Sequence, residues 1–142
     1  MKKRFLSLLL CMLMIFTLPL SASAITDTEE AVGTYGLSKP TKVWNFSNEI
    51  YYFSGVAATS DLYSEYSFTN ANKFEISVYN HHSEELTVKL LKRQSGVDWS
   101  VSTKEIEGHG YIILTVSVDS SSEYMLKFYA PSDFSGSIKK LS

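Results

Sequence analysis

Apolar and polar residues alternate along most of the second half of the chain. In residues 74–79, Phe74, Ile76 and Val78 share one face and Tyr79 lies on the other. Three later segments show the same period of two, with inner sets Leu86, Val88 and Leu90; Ile112, Leu114, Val116 and Val118; and Tyr124, Leu126, Phe128 and Ala130. Alternation rich in β-branched and aromatic residues predicts strands that are buried on one face.

Other segments alternate less cleanly. Residues 43–46 and 50–57 are apolar on both faces, as expected of strands buried on two sides. In "VDWSVST" Val97, Trp99 and Val101 fall together, and we expect Trp99 to pack in the core with Phe68, Phe74 and Phe128. A short closing strand is predicted in "SGSIKKL", residues 135–141.

Turn-forming residues separate these segments at intervals of about 8–12 residues, the spacing of all-β sandwiches. Examples are "TNANK", "RQSG", "EGHG" and "DSSS". No segment of ten or more residues carries a helical stripe. The pattern predicts an all-β fold, an antiparallel, jelly-roll-like β-sandwich of about eight short strands over residues 42–142.

The N-terminus has the features of a secretory signal peptide. Lys2, Lys3 and Arg4 precede an apolar run that Pro19 ends, and Ala22 and Ala24 supply small residues for cleavage. A membrane anchor is disfavoured because a spanning helix needs about 20 apolar residues. We therefore predict a signal-peptide helix in residues 1–24, a flexible segment in residues 25–41 and secretion of the mature protein, without a stable membrane anchor.

Composition narrows the range of partners. The single cysteine, Cys11, lies in the predicted signal peptide, so the mature domain has no disulfide and depends on its core. The formal net charge of −2 becomes more negative once Lys2, Lys3 and Arg4 are removed. A mildly acidic chain without a basic cluster argues against binding to nucleic acid or to anionic membranes.

The stretch "YNHHSEEL" contains the residues most suggestive of metal chemistry, His81, His82 and Glu84. It lies between two predicted strands, and adjacent residues on extended chain point to opposite sides. Zinc needs three or four converging ligands, so we favour a solvated hairpin loop over a metal site. No cofactor and no hydrolytic triad are expected, and "DSSSE" is interpreted as a turn rather than a calcium loop.

Three C-terminal stretches, "LTVKLLKR", "EYMLKFYAPSDFSGSIKKL" and the turn "GHG" between them, carry a family resemblance. Residues 74–141 resemble the bacterial pre-peptidase C-terminal modules of secreted proteins, although Ile138 stands where that family usually has an aromatic residue. The resemblance implies a jelly-roll fold and a non-catalytic accessory role, and it supplies no catalytic residues.

Aromatic residues suggest where a ligand would bind. The chain has 9 Tyr, 8 Phe and 2 Trp, and only Phe5 and Phe16 belong to the predicted signal peptide. Strand parity turns four tyrosines outward, and we expect ligand contacts among Tyr63, Tyr79, Tyr111 and Tyr129. The favoured function is a secreted non-enzymatic module for a glycan, cell-envelope or protein ligand. The alternatives are a self-assembling matrix or coat protein and, third, a small secreted hydrolase.

Overall fold

The computed structural model describes residues 32–34, by their backbone only, and 36–142. These residues form eleven strands in two sheets. The first sheet has the order β1-β3-β11-β6-β9, with β1 Val32–Thr34, β3 Ile50–Ala57, β11 Ser132–Lys140, β6 Lys73–Asn80 and β9 Tyr111–Ser117. The second has the order β2-β5-β10-β7-β8, with β2 Lys42–Asn45, β5 Tyr66–Thr69, β10 Glu123–Phe128, β7 Leu86–Gln94 and β8 Val97–Ile106; β4 Leu62–Tyr63 also pairs with β10.

The two sheets pack face to face, which confirms the predicted β-sandwich. Pairing is antiparallel except between β1 and β3 and between β2 and β5. Strand parity was predicted correctly in β6 and β7, whose inner residues Phe74, Ile76, Val78, Leu86, Val88 and Leu90 are all buried. The inner residues of β9 are partly buried and pack against the same core.

Aromatic rings dominate that core. The rings of Phe128 and Phe134 stack with their centroids 3.7 Å apart, and Phe53 lies 5.7 Å from Phe128. Phe68, Phe74 and Tyr124 continue the cluster between the sheets. Each buried ring removes a large apolar area from water, so the described domain has a substantial core without a disulfide.

Two expectations about buried side chains were wrong. Strands β2 and β3 are not buried on two sides: Val43, Ile50 and Val56 are exposed, while Tyr51 and Phe53 on the opposite face of β3 are buried. Trp99 is 61% exposed rather than in the core. It lies on β8, the edge strand of the second sheet, close to the turn that joins β7 to β8, where few neighbours can cover it.

The predicted signal peptide, with Ala22 and Ala24, lies outside the described residues and stays a prediction. The segment 25–41 is described in part: Val32–Thr34 pairs with β3, and Gly36 forms a bridge with Tyr63. Across residues 32–34 and 36–142 we find no helix with the length and apolar character needed to cross a membrane.

Candidate functional site

An open groove crosses the outer face of the first sheet. It has a volume of about 480 Å³ and is more apolar than polar. Its lining consists of Tyr52, Phe53, Ser54, Ser77, Tyr79, Tyr111, Ser135, Gly136 and Ser137. The volume falls within the range of about 300–1,000 Å³ typical of ligand sites. This is the candidate functional site.

One wall of the groove is an aromatic ladder. Tyr79 on β6 and Tyr111 on β9 are register partners, and their ring centroids lie 6.5 Å apart. The imidazole of His81 continues the ladder at 4.6 Å from the Tyr79 ring. Tyr79 and Tyr111 are 37% and 55% exposed, so ring surface remains open to a ligand.

The opposite wall is Tyr52 on β3, which is 38% exposed. Strand β11 lies between β3 and β6 and keeps the two walls apart. Its Gly136 has the core-facing parity of Phe134 and Ile138, and an added Cβ there would lie 2.1 Å from the carbonyl oxygen of Ser77 and 2.7 Å from the buried Phe53 ring. The outward side chains of β11 in the groove are those of Ser135 and Ser137, so the floor is lower than the tyrosine walls and its polar groups are serine hydroxyls.

Asn80 fixes the loop that ends this wall. Its side-chain amide is buried and donates to the carbonyl oxygens of Glu84, Ile106 and Glu107 at 2.7–3.1 Å, while its Oδ1 accepts from the His82 amide at 3.0 Å. We did not predict this role. An Asn at the end of an alternating strand is a turn signal, but its partners in another sheet are invisible in a single sequence.

Of the four predicted ligand-contacting tyrosines, the structure brings Tyr79 and Tyr111 together at the groove. Tyr63 belongs to β4 of the second sheet and Tyr129 directly follows β10 of that sheet, and the Lys127 ammonium stands 5.4 and 4.3 Å from their ring centroids. The four therefore do not form one platform. Tyr52 was missed because we interpreted residues 50–57 as apolar on both faces, although Tyr52 alternates with Tyr51 and Phe53.

Electrostatics distinguish the two tyrosine pairs. Partial burial disfavours the charged form of the Lys127 amine, but its hydrogen bonds with Asp61 and Tyr129 outweigh burial and raise the pKa of Lys127 above the ordinary value for lysine. The pKa of Tyr129 is lowered because Lys89 and Lys127 outweigh its partial burial. Similarly, burial works against ionised Asp61, but Lys127 and the Ala130 amide keep its pKa below the usual range. The groove, by contrast, is lined by uncharged side chains.

The histidine loop does not assemble ligands for a metal. His81 Nε2 lies 2.8 Å from Ser135 Oγ, and His82 Nδ1 accepts from the Glu84 amide. In the part of the chain that the structure describes, no three His, Cys, Asp or Glu side chains converge on a common point. The predicted turn at residues 119–122 is present, with the Asp119 carboxylate accepting from the amide and hydroxyl of Ser121.

The His81–Ser135 contact resembles two members of a hydrolytic triad. A triad also requires a carboxylate that orients the imidazole. Among the hydrogen bonds of residues 36–142 we find none from His81 to a carboxylate. Ser135 lies in the middle of β11, whose backbone pairs with strands on both sides rather than forming an oxyanion hole.

Comparisons with known proteins add a fold-level likeness. No protein-family model matches the chain, that of the pre-peptidase C-terminal modules included, and no curated protein matches it. A mitogen from Yersinia pseudotuberculosis is 12% identical, with 66% of this chain and 87% of that chain covered and a TM-score of 0.44. Two mutants of a carbohydrate binding module of family 29 are each 14% identical to this chain. The match to the first covers 64% of this chain and 67% of that chain with a TM-score of 0.38. The match to the second covers 76% of this chain and 89% of that chain with a TM-score of 0.37. With TM-scores this low, these likenesses carry no argument about function.

Proposed function

We propose that this protein is a non-catalytic module, exported as its N-terminal sequence predicts, that binds a glycan in the groove. The observation that carries the proposal is the pairing of exposed aromatic walls, Tyr52 on one side and Tyr79 with Tyr111 on the other, above a floor of serines. A sugar ring has an apolar face of C–H groups and a rim of hydroxyls. Tyrosine rings offer apolar surface for the former, and serine hydroxyls donate to and accept from the latter.

The shape of the groove favours a single extended chain. Tyr52 and Tyr79 are on strands separated by β11, so about 10 Å of sheet lies between them. An α-helix with its side chains is about 10–12 Å wide, too wide to enter between the rings. Peptide binding by strand addition uses unpaired backbone groups at a sheet edge, whereas β11, at the centre of the floor, is paired on both sides.

Retention on immobilised polysaccharides tests the proposal. Wild-type protein should be retained by at least one member of a panel of β-glucan, mannan, xylan, galactan, polygalacturonate, alginate and chitosan, and Tyr52→Ala should abolish retention. Tyr63→Ala, on the second sheet, is the matched control and should be retained like wild type. If Tyr52→Ala unfolds, as judged by circular dichroism, Tyr111→Ala replaces it because Tyr111 is more exposed. The proposal fails if none of these polysaccharides retains the protein, or if a folded Tyr52→Ala or Tyr111→Ala variant is retained like wild type.

The same material separates binding from hydrolysis. Because Ser135 and His81 are in contact, a hydrolase would release new reducing ends from the retained polysaccharide, and Ser135→Ala would stop that release. A binding module leaves the polysaccharide intact after prolonged incubation, with or without Ser135.

A further inference from the structure

Strand register gives the groove a direction. Ser54 on β3 is the partner of Ser135 on β11, and Ser137, two residues further along β11, is the partner of Ser77 on β6. Ser54, Ser135, Ser137 and Ser77 therefore form a continuous diagonal of small hydroxyl side chains across three strands. All four line the groove.

The tyrosine walls flank this diagonal from opposite corners. Tyr52 is the register partner of Ser137, and Tyr79 is the register partner of Ser135. Each ring therefore stands beside one of the two central serines, on opposite sides of the path. A chain that follows the diagonal would meet a ring first on one side and then on the other, with hydroxyls below.

Charge is placed at the margins of this path. The groove lining contains no Asp, Glu, Lys or Arg. At the Ser77 end, Glu75 and Lys139 are occupied with each other, with 2.8 Å between Nζ and Oε1. At the Ser54 end, the Asp133 carboxylate belongs to a position of β11 two residues before Ser135, paired with Val56, and is not part of the groove lining. An ionised group on a ligand inside the groove would lose water without meeting an opposite charge, which is costly.

We infer that the ligand is an uncharged glycan chain lying along the diagonal from Ser54 to Ser77, between Tyr52 and Tyr79. The inference rests on the proposed function and narrows its ligand class. It excludes polymers of uronic acids and of unacetylated amino sugars, which are charged at neutral pH, as ligands of the groove. Because no ion pair forms, binding is insensitive to salt, which screens charged pairs over about 10 Å at 0.1 M.

Affinity electrophoresis or gel retention with neutral and charged polymers tests the inference. The neutral set is β-glucan, mannan, xylan and galactan; the charged set is polygalacturonate, alginate and chitosan. Each is measured at about 20 mM and about 500 mM sodium chloride, with wild type, Tyr52→Ala and the control Tyr63→Ala.

We expect wild-type protein to be retained on a neutral polymer, and this retention should change less than about twofold between the two salt concentrations. Tyr52→Ala should lose it. Retention on a charged polymer that falls with salt and depends on Tyr52 would overturn the neutral-ligand inference and leave the proposed function standing. No retention on either set, or equal retention of a folded Tyr52→Ala variant, would overturn both.

Discussion

Asn80 and Ile106 belong to different sheets, and the side-chain amide of Asn80 donates to the Ile106 carbonyl oxygen across 3.1 Å. The same amide also reaches the carbonyl oxygens of Glu84 and Glu107. One buried side chain therefore ties the end of β6, the histidine loop and the end of β8 together.

Removal of the Asn80 amide should lower the stability of the domain. Asn80→Ala leaves the buried Ile106 carbonyl without this donor, and we expect the free energy of unfolding to fall by about 2–3 kcal/mol. Asn80→Asp should not rescue it, because a carboxylate would face three carbonyl oxygens. Urea unfolding measures both variants, and exposed Asn48→Ala should stay within about 0.5 kcal/mol of wild type. Wild-type stability of Asn80→Asp would contradict this account.

Glycine at position 136 should be irreplaceable. An alanine Cβ would come within 2.1 Å of the Ser77 carbonyl oxygen, so the central strand pair must separate, and we expect a loss of at least about 2 kcal/mol. Gly96→Ala is the control: nothing lies within 4 Å of its Cβ, although its φ of +79° costs about 1 kcal/mol for alanine. Thermal unfolding should therefore rank Gly136→Ala well below Gly96→Ala. The opposite ranking would mean that β11 and β6 are further apart than described.

The ion pair between Asp61 and Lys127, at 3.0 Å, should make stability depend on pH. The folded-state pKa of Asp61 is below its unfolded value of about 3.9. A lowered carboxyl pKa contributes stability that is present above the unfolded value and is lost as the pH falls through the folded value.

Asp61→Asn isolates this charge, since the amide oxygen can still accept from the Ala130 amide. The variant should be less stable than wild type at pH 7, and the difference should disappear at a pH below the folded pKa of Asp61. A difference that stays constant from pH 7 down to the acid range would show that the charge of Asp61 is not its cause.

The histidine loop should be indifferent to metal ions. Replacement of His81 and His82 by Ala removes two surface hydrogen bonds, and exposed positions usually contribute within about 0.5 kcal/mol. Excess chelator should leave the melting temperature of the wild type unchanged. A fall of about ten degrees after chelation would reveal a metal site that the described side chains do not assemble.

Ring surface rather than the phenolic hydroxyl should account for the contribution of Tyr79. Tyr79→Phe keeps the ring beside Ser135 and should bind the retained polysaccharide within about threefold of wild type, whereas Tyr79→Ala should weaken binding by at least tenfold, about 1.4 kcal/mol. Isothermal titration with soluble oligosaccharides of that polymer measures both. Equal losses in the two variants would assign the role to the hydroxyl.

Alternation predicted the faces of β6 and β9 correctly, and with them the outward positions of Tyr79 and Tyr111. It could not predict that β11 lies between β3 and β6, because pairing of Tyr52 with Ser137 and of Ser77 with Ser137 joins residues far apart in the chain. Nor could it separate Tyr63 from the groove, since parity assigns a face but not a sheet. The prediction that Trp99 is in the core was wrong for a related reason. Apolar and polar residues alternate in the same way in an edge strand and in a central strand, so the pattern does not show how well a side chain is covered.

The location of the site is tested most directly by nuclear magnetic resonance. A ¹⁵N-labelled sample is titrated with oligosaccharides of β-glucan, mannan, xylan and galactan, and the backbone amide shifts are recorded. The account predicts that one of these ligands shifts the amides of Tyr52, Ser77, Tyr79, Ser135 and Ser137 and leaves those of Tyr63 and Tyr129 in place. Shifts confined to the second sheet, or none with any of the four ligands, would contradict it.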